Sequence, residues 1–275
     1  MSASGQGDGS APVPVRVERD GPIARLVLDR PHALNALDPP MIEGLAVATA
    51  ALAEDAELRC LIVTGAGDHF MAGGDVKMFG QALTEVPRDD QARYFAALID
   101  RVHDSIRAIR AMEVPVVAAV RGACAGFGLS LSMASDLTVA SEDAVFTLAY
   151  IHIATSPDGG STWHLPRLVG PKRAAEMALL GDRFDAATAE RLGLVNRVVP
   201  ADALDREAEA LARRLAAGPR AAMARTKALL RRSEGEAFDA HLAAERDSFV
   251  ASTATADFAE GVAAFAEKRR PRFGA

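Results

Sequence analysis

The sequence is poor in the residues that cross-link chains, cross membranes or bind polyanions. It holds two cysteines, Cys60 and Cys124, each inside an apolar run and neither with CxxC spacing. That excludes a disulfide framework and predicts buried free thiols in a reducing compartment. No apolar run approaches the roughly 18 residues that a membrane span needs. A net charge of −6 leaves no basic surface for nucleic acid or acidic lipid. Among the six histidines, His152 and His164 have no partner at metal-ligand spacing and HExxH is absent, so no metal is expected. GxGxxG and the P-loop are missing too, which argues against cradling of nucleotide phosphates. Ser130 lies outside any GxSxG, which argues against a hydrolase nucleophile. The first dozen residues, MSASGQGDGSAP, are small and polar without an apolar h-region. Residues 1–12 therefore read as a disordered leader, and the protein as cytoplasmic.

What is present is ordinary in bulk and specific in pattern. Apolar residues are 49% and charged residues 25% of 275, enough for one large domain or a core with an appendage. Val13–Glu18 and Ile23–Asp29 flank Asp20-Gly21 as a hairpin. Asp38 reads as a helix cap, with Pro39 and Pro40 in the first turn and apolar spacing from Met41 to Leu52. Cys60–Thr64 and Val116–Val120 are continuous apolar runs, as expected of strands covered on both faces. Gln91–Met112 carries an apolar stripe of Phe95, Ile99, Val102, Ile106 and Ile109. Further strands are expected at Leu137–Ala140, Ala144–Leu148 and Leu194–Val199. Ser156-Pro157-Asp158 opens a helix that carries the single tryptophan, Trp163, expected in core or subunit-interface packing. From Lys172 onward the chain is otherwise helical. This divides it into an α/β core over residues 13–195 and an all-helical region over 196–275, which by its alanine content packs on a core or a neighbouring subunit.

Both buried strands run into glycine-rich turns, Gly65–Asp75 and Gly122–Gly128, and the second leads to a tight apolar helix over Leu129–Ala134. Such turns present bare backbone N–H groups to an anion, or to an oxygen that becomes one during reaction. Two of them can converge on one oxygen, as an oxyanion hole requires.

The order and spacing of LVLDRPHALNAL (26–37), HFMAGGDV (69–76), PVVAAVRGACAGFGLSLSMASDLTVAS (115–141), the 158–170 segment, GDRFDAATAERLGLVNRVV (181–199) and FAEKRRP (265–271) resemble the crotonase superfamily, the enoyl-CoA hydratase/isomerase family, over nearly the whole chain after residue 13. The resemblance implies an α/β fold with a crotonase-like ββα spiral core and C-terminal helices that form a homotrimer or a dimer of trimers. It implies an acyl-CoA substrate held as a coenzyme A thioester, with no separate cofactor. The oxyanion-hole N–H groups fall on Gly74 and Phe127. The backbone around Ala33, Ala72 and Val76 matches the site for adenine and pantetheine. Lys268 matches a basic C-terminus that approaches a CoA phosphate, beside the equally open reading of a solvated charge run.

The departures from the family pattern concern acid/base chemistry. The two glutamates of a hydratase are replaced by Ser130 and Tyr150, neither a carboxylate acid/base near neutral pH. The remaining candidate is Asp158. Taken alone it is a helix N-cap after Ser-Pro. The resemblance gives it the place of the catalytic aspartate of the family's isomerases, and PDGGSTWHLPR (157–167) looks closest to ring-epoxide phenylacetyl-CoA isomerases. Set among Phe146, Leu148 and Ile153, its pKa is expected to rise by desolvation. A rival assignment makes Asp158 the nucleophile of an aryl-CoA dehalogenase. That enzyme has a tryptophan at the place of Tyr150 and a helix histidine at that of His103, a residue that on its own reads as packed and hydrogen-bonded. His69 reads only as lining the first turn. A protein that binds acyl-CoA without turnover remains a further reading.

Overall fold

The computed structural model describes residues 14–274; the leader expected over residues 1–12, and Val13, lie outside the described residues. The chain opens with a hairpin, β1 (Val15–Asp20) and β2 (Ile23–Leu28), antiparallel and turned at Gly21 with φ +57°. Asp38 caps α1 (Pro39–Ala53), its carboxylate accepting from the Met41 N–H at 2.9 Å. Next come β3 (Cys60–Gly65), α2 (Val76–Glu85), α3 (Arg88–Ala111), β4 (Val116–Val120), β5 (Ala123–Ala125) and α4 (Phe127–Ala134). They are followed by β6 (Leu137–Ser141), β7 (Val145–Thr147), α5 (Ser161–Val169), α6 (Pro171–Leu180), β8 (Phe184–Asp185), α7 (Ala186–Arg191) and β9 (Arg197–Val199). Four helices end the chain: α8 (Leu204–Ala216), α9 (Arg220–Arg232), α10 (Phe238–Thr253) and α11 (Ala256–Ala266).

The main sheet has the order β1-β2-β3-β4-β6-β9 and is parallel beyond its hairpin; β5, β7 and β8 form a second, smaller sheet. Leu61, Val63, Val116, Ala118 and Val120 point into the larger core with α1, α3 and α4, whereas Cys60, Ile62, Val117 and Ala119 meet Leu204, Ala208, Leu211 and Ala212 of α8. Burial of both faces is why these strands read as unbroken apolar runs rather than as alternation. Burial pushes the Cys60 thiol up to about 12, and Cys124 is likewise buried and free.

Several boundaries differ from the sequence expectation. The second glycine turn contains β5, because Gly122 (φ +51°) and Gly126 (φ +52°) make the two corners and leave 123–125 extended beside β7. α4 therefore begins at Phe127 rather than Leu129. α3 begins at Arg88 rather than Gln91: its polar first turn carries no apolar periodicity, but Asp89 and Asp90 there suit the positive end of the helix dipole. The division at residue 195 falls within one sheet, since β9 pairs with β6 and α8 covers the same sheet. No helix among the described residues is long and apolar enough to cross a membrane.

Candidate active site

The two glycine-rich loops leave the C-terminal ends of neighbouring parallel strands, β3 and β4, and are stitched to each other. Phe70 N–H donates to Arg121 O at 2.8 Å, Met71 N–H to Ala123 O at 3.0 Å and Ala125 N–H to Met71 O at 2.8 Å. A third strand-like segment joins them: Ala72 N–H donates to Leu34 O at 3.0 Å, Leu37 N–H to Gly73 O at 2.7 Å and Asp75 N–H to Leu37 O at 2.9 Å. This parallel bridge uses the neighbours of Gly74 and turns its own N–H to the opposite side. Phe127 is the first residue of α4, so its N–H has no intrahelical acceptor. Among the described residues neither N–H donates to the protein. The loops also touch: a Cβ on Gly73 (φ +88°) would lie 3.4 Å from Gly126 Cα and 3.5 Å from Phe127 N. Two free donors thus stand on adjoining loops, as an oxyanion hole needs.

Asp158 does not cap α5. The cap position is Gly160, with no side-chain bond, and the Asp158 carbonyl accepts from Ser161 N–H and Oγ. Gly159 and Gly160, at φ +60° and +77°, carry the chain into the helix, which releases the Asp158 carboxylate for tertiary contact. Tyr150 OH donates to its Oδ1 at 2.5 Å. Ser130, fully buried, lies 3.4 Å from the same hydroxyl and donates to Asp158 O at 3.1 Å. His103 on α3 accepts the Gly159 N–H through Nε2 at 3.2 Å, which fixes that nitrogen as unprotonated. Burial raises the Asp158 pKa, opposed by the Tyr150 hydrogen bond. The same burial, with Asp158 beside it, pushes the Tyr150 phenol well above its usual range. The apolar surroundings are not all those expected. Phe146 and Leu148 are buried, but Ile153 is 44% exposed. In its place the Phe127 ring packs under the loop, where a Cβ on Gly159 would fall 2.9 Å from it and 2.7 Å from Ser130 Cβ.

Of the other sequence-chosen residues, Ala33 ends a 3-10 turn (Pro31–Ala33) and Ala72 pairs with the adjoining Leu34, so these two segments are brought side by side. Val76 opens α2 and is exposed. Lys268 is not gathered with them. It follows α11 with φ +54°, and the chain beyond folds back on that helix, with Arg269 and Arg272 N–H on Glu260. A Cβ on Gly274 would lie 2.8 Å from Arg59 Nη1, next to the start of β3, whereas the site lies beyond the end of that strand.

Two supporting residues, Arg30 and Asn35, escaped the sequence reading, and so did the role of a third, His69. Arg30 bridges Asp38 at 3.0 Å and Asp75 at 2.9 Å. Asn35, fully buried at φ +56°, donates to Ala66 O and His69 O and accepts from Arg30 N–H. An asparagine in a loop between strands is a mild hint of such a role, since it tolerates left-handed backbone. His69 Nδ1 accepts the Ala123 N–H at 3.0 Å, tying the first loop to the second rather than merely lining it.

The family model for enoyl-CoA hydratase/isomerase matches residues 18–275. A probable enoyl-CoA hydratase of Rhodobacter capsulatus is 37% identical, over 94% of this chain and 97% of that one. The 1,2-epoxyphenylacetyl-CoA isomerase of Escherichia coli is 34% identical over 91% and 94%. The crystal structure of an enoyl-CoA hydratase from a Polaromonas species superposes with a TM-score of 0.88 at 35% identity, over 94% of this chain and 99% of that one. The architecture is therefore the crotonase fold, and the paired glycine-rich loops stand on a scaffold shared along almost the full length. This chain belongs to the enoyl-CoA hydratase/isomerase family.

Proposed function

We propose that this enzyme moves a double bond in an enoyl-CoA through an enolate held by the N–H groups of Gly74 and Phe127, with Asp158 carrying the proton. The thioester carbonyl sits between the two donors. Asp158, ionised, removes a proton from C2 of a 3-enoyl thioester; the electron pair delocalises onto the carbonyl oxygen as a dienolate. The same carboxylic acid returns the proton to C4, leaving a 2-enoyl thioester. Loss of one oxyanion donor costs about 3–4 kcal/mol of barrier. The observation that carries this reading is the carboxylate of Asp158: its pKa is raised by burial, and Tyr150 OH holds Oδ1. A carboxylate made more basic by desolvation suits a base that must hand the proton back.

Hydration by the family's usual pair finds no carboxylate at Ser130 or Tyr150. Relatives named as hydratases and one named as an isomerase lie at similar identity, so the discrimination rests on the site. Ala33, Ala72 and Val76 would receive the adenine and pantetheine. Lys268 would meet a CoA phosphate only on a second copy, in a homotrimer or dimer of trimers to which the exposed Phe249, Val262 and Phe265 of α10 and α11 would contribute.

Wild type and Asp158→Asn are assayed with a 3-enoyl-CoA, a 2-enoyl-CoA and a haloaryl-CoA, with exchange of the C2 proton followed in deuterium oxide. The expected result is isomerisation and C2 exchange in the wild type, both falling about 10²–10⁴-fold in the variant. Halide release would point to the nucleophilic reading instead, and binding without turnover to a non-catalytic one. An isomerase indifferent to the substitution would sink the Asp158 mechanism.

A further inference from the structure

The turn that carries Asp158 has little rigidity of its own. Gly159 and Gly160 follow at φ +60° and +77°, and two consecutive glycines leave an unsupported backbone many alternative paths. A base that must meet C2 and then C4 of one substrate needs that turn held from outside. Helix α3 reaches it at two positions seven residues apart, which lie on one face of a helix. His103 accepts the Gly159 N–H. Arg110, in the last turn of α3, meets His164 of α5, its Nη1 lying 3.0 Å from Nε2 and 3.4 Å from Nδ1 of the ring. That ring rests on the turn: a Cβ on Gly160 would stand 3.5 Å from His164 Cδ2 and 3.8 Å from its Nε2. His164 is buried, and burial, with Arg110 and Arg167 beside it, pushes its pKa down to about 4. A neutral ring has a lone pair to accept from the guanidinium. Arg110 is itself anchored twice. Its Nη2 donates to Glu234 at 2.8 Å, in the link between α9 and α10. Its Cζ lies 4.4 Å from the centroid of the Trp163 ring, over which Arg167 also lies at 4.0 Å. The single tryptophan is half-buried and holds Arg110 by a cation–π contact.

We infer that Arg110 is a positioning residue for the base: through His164 it fixes the Gly159-Gly160 turn, and through Glu234 it ties that turn to the C-terminal helices of the same chain. This role rests on the proposed use of Asp158 as the base. The contacts to His164 and Glu234 use two nitrogens of one planar guanidinium, a fork that lysine lacks. Arg110 touches neither Asp158 nor the loops of Gly74 and Phe127, so its removal is felt in the placement of the base and not in the grip on the thioester.

A double-mutant cycle on Arg110→Met and His164→Phe tests this. It is read by C2-proton exchange of a saturating 3-enoyl-CoA, and by calorimetric binding of a saturated acyl-CoA of the same length, which cannot isomerise. Each single variant is expected to lose about ten- to hundredfold in exchange rate, with binding kept within about twofold. The double variant is expected to fall no further than the worse single one, because Arg110 acts through His164. Exchange at the wild-type rate in Arg110→Met, losses that multiply in the double variant, or a loss confined to binding would each overturn the inference. Glu234→Gln is expected to slow exchange about two- to fivefold; no loss there would sever the link to the C-terminal helices. A variant that loses binding as well as rate is read by amide deuterium uptake. Uptake is expected to rise over residues 159–164 alone, and a rise throughout the chain would refute a positioning role. Failure of the isomerase reading shows separately, as a wild type without C2 exchange or an Asp158→Asn variant that keeps it.

Discussion

Tyr150→Phe removes one oxygen and leaves the ring, so its effect isolates what the hydroxyl does to Asp158. That hydroxyl donates to Oδ1 at 2.5 Å and stabilises the ionised carboxylate, against burial, which raises its pKa. A hydrogen bond to a charged group contributes about 1.5–3 kcal/mol, and one pKa unit corresponds to about 1.4 kcal/mol. Asp158 is partly exposed, which favours the lower end, so loss of the bond should raise its pKa by about one unit. The base must be ionised to accept a proton. The acid limb of kcat/KM for 3-enoyl-CoA isomerisation therefore moves about one unit to higher pH, the rate on that limb falls about tenfold, and the alkaline plateau is kept. The assay is the pH–rate profile from pH 5 to 10, with C2-proton exchange as a second readout. Ser130→Ala, whose oxygen is 3.4 Å from the phenol, should shift the limb much less. A limb that stays in place in Tyr150→Phe, or moves to lower pH, would show that the phenol does not tune the base.

Three further outcomes follow from the same contacts. The Asp158 pKa is raised in the folded state, so its contribution to stability is fully present below the unfolded value near 3.9 and is lost as pH rises through the folded pKa. Asp158→Asn should consequently melt at a higher temperature than wild type at pH 8, with the gap closing below about pH 4; equal melting at pH 8 would contradict burial as the cause. His69→Ala removes the acceptor for Ala123 N–H and should lower kcat/KM about five- to tenfold, whereas His69→Asn, which can offer an oxygen at the Nδ1 position, should stay close to wild type. Equal losses in both would dismiss the staple. Lys227 on α9 is buried, with its pKa lowered by desolvation, and reaches Asp136 at 2.6 Å and Val114 O at 3.0 Å. Lys227→Ala leaves that carboxylate unpaired at the start of β4 and should cost about 3 kcal/mol in denaturant titration; a loss below about 1 kcal/mol would mean the pair is solvated.

How legible each feature was in the sequence depended on how local its cause is. The Asp38 cap, the Asp20-Gly21 hairpin and the two-faced strands are decided within a few residues, and the periodicity or the turn chemistry declares them. β5 is three residues between two positive-φ glycines, too short to carry a pattern. The Ser-Pro-Asp cap was a sound local inference that a tertiary partner overrode. Two glycines took over entry into α5, and Tyr150, eight residues away, captured the carboxylate. The bond from Ala123 to His69 spans 54 residues and leaves no trace in spacing. Gly74 and Phe127 were placed through resemblance, since a free N–H is a property of the mesh around it and not of its own residue type.

The replacements at Ser130 and Tyr150 are best understood as conditions for the use of Asp158. A second carboxylate close enough to share a proton with Asp158 could not ionise together with it, and the base strength of the site would belong to the pair. Hydroxyls avoid this. Tyr150 donates to Asp158 at one oxygen, and Ser130 holds the backbone carbonyl of the same residue. His103 fixes the next peptide through an unprotonated nitrogen. Each positions Asp158 without supplying a second acid. Gly159 completes the set, because any larger residue would collide with Ser130 and with the Phe127 ring, and the N–H of Phe127 is the proposed oxyanion donor. On the proposed chemistry the base and the donor are therefore held at a fixed separation by packing on one phenylalanine. On the proposed chemistry, one carboxylate held in this way would carry a proton between two carbons of a bound enolate.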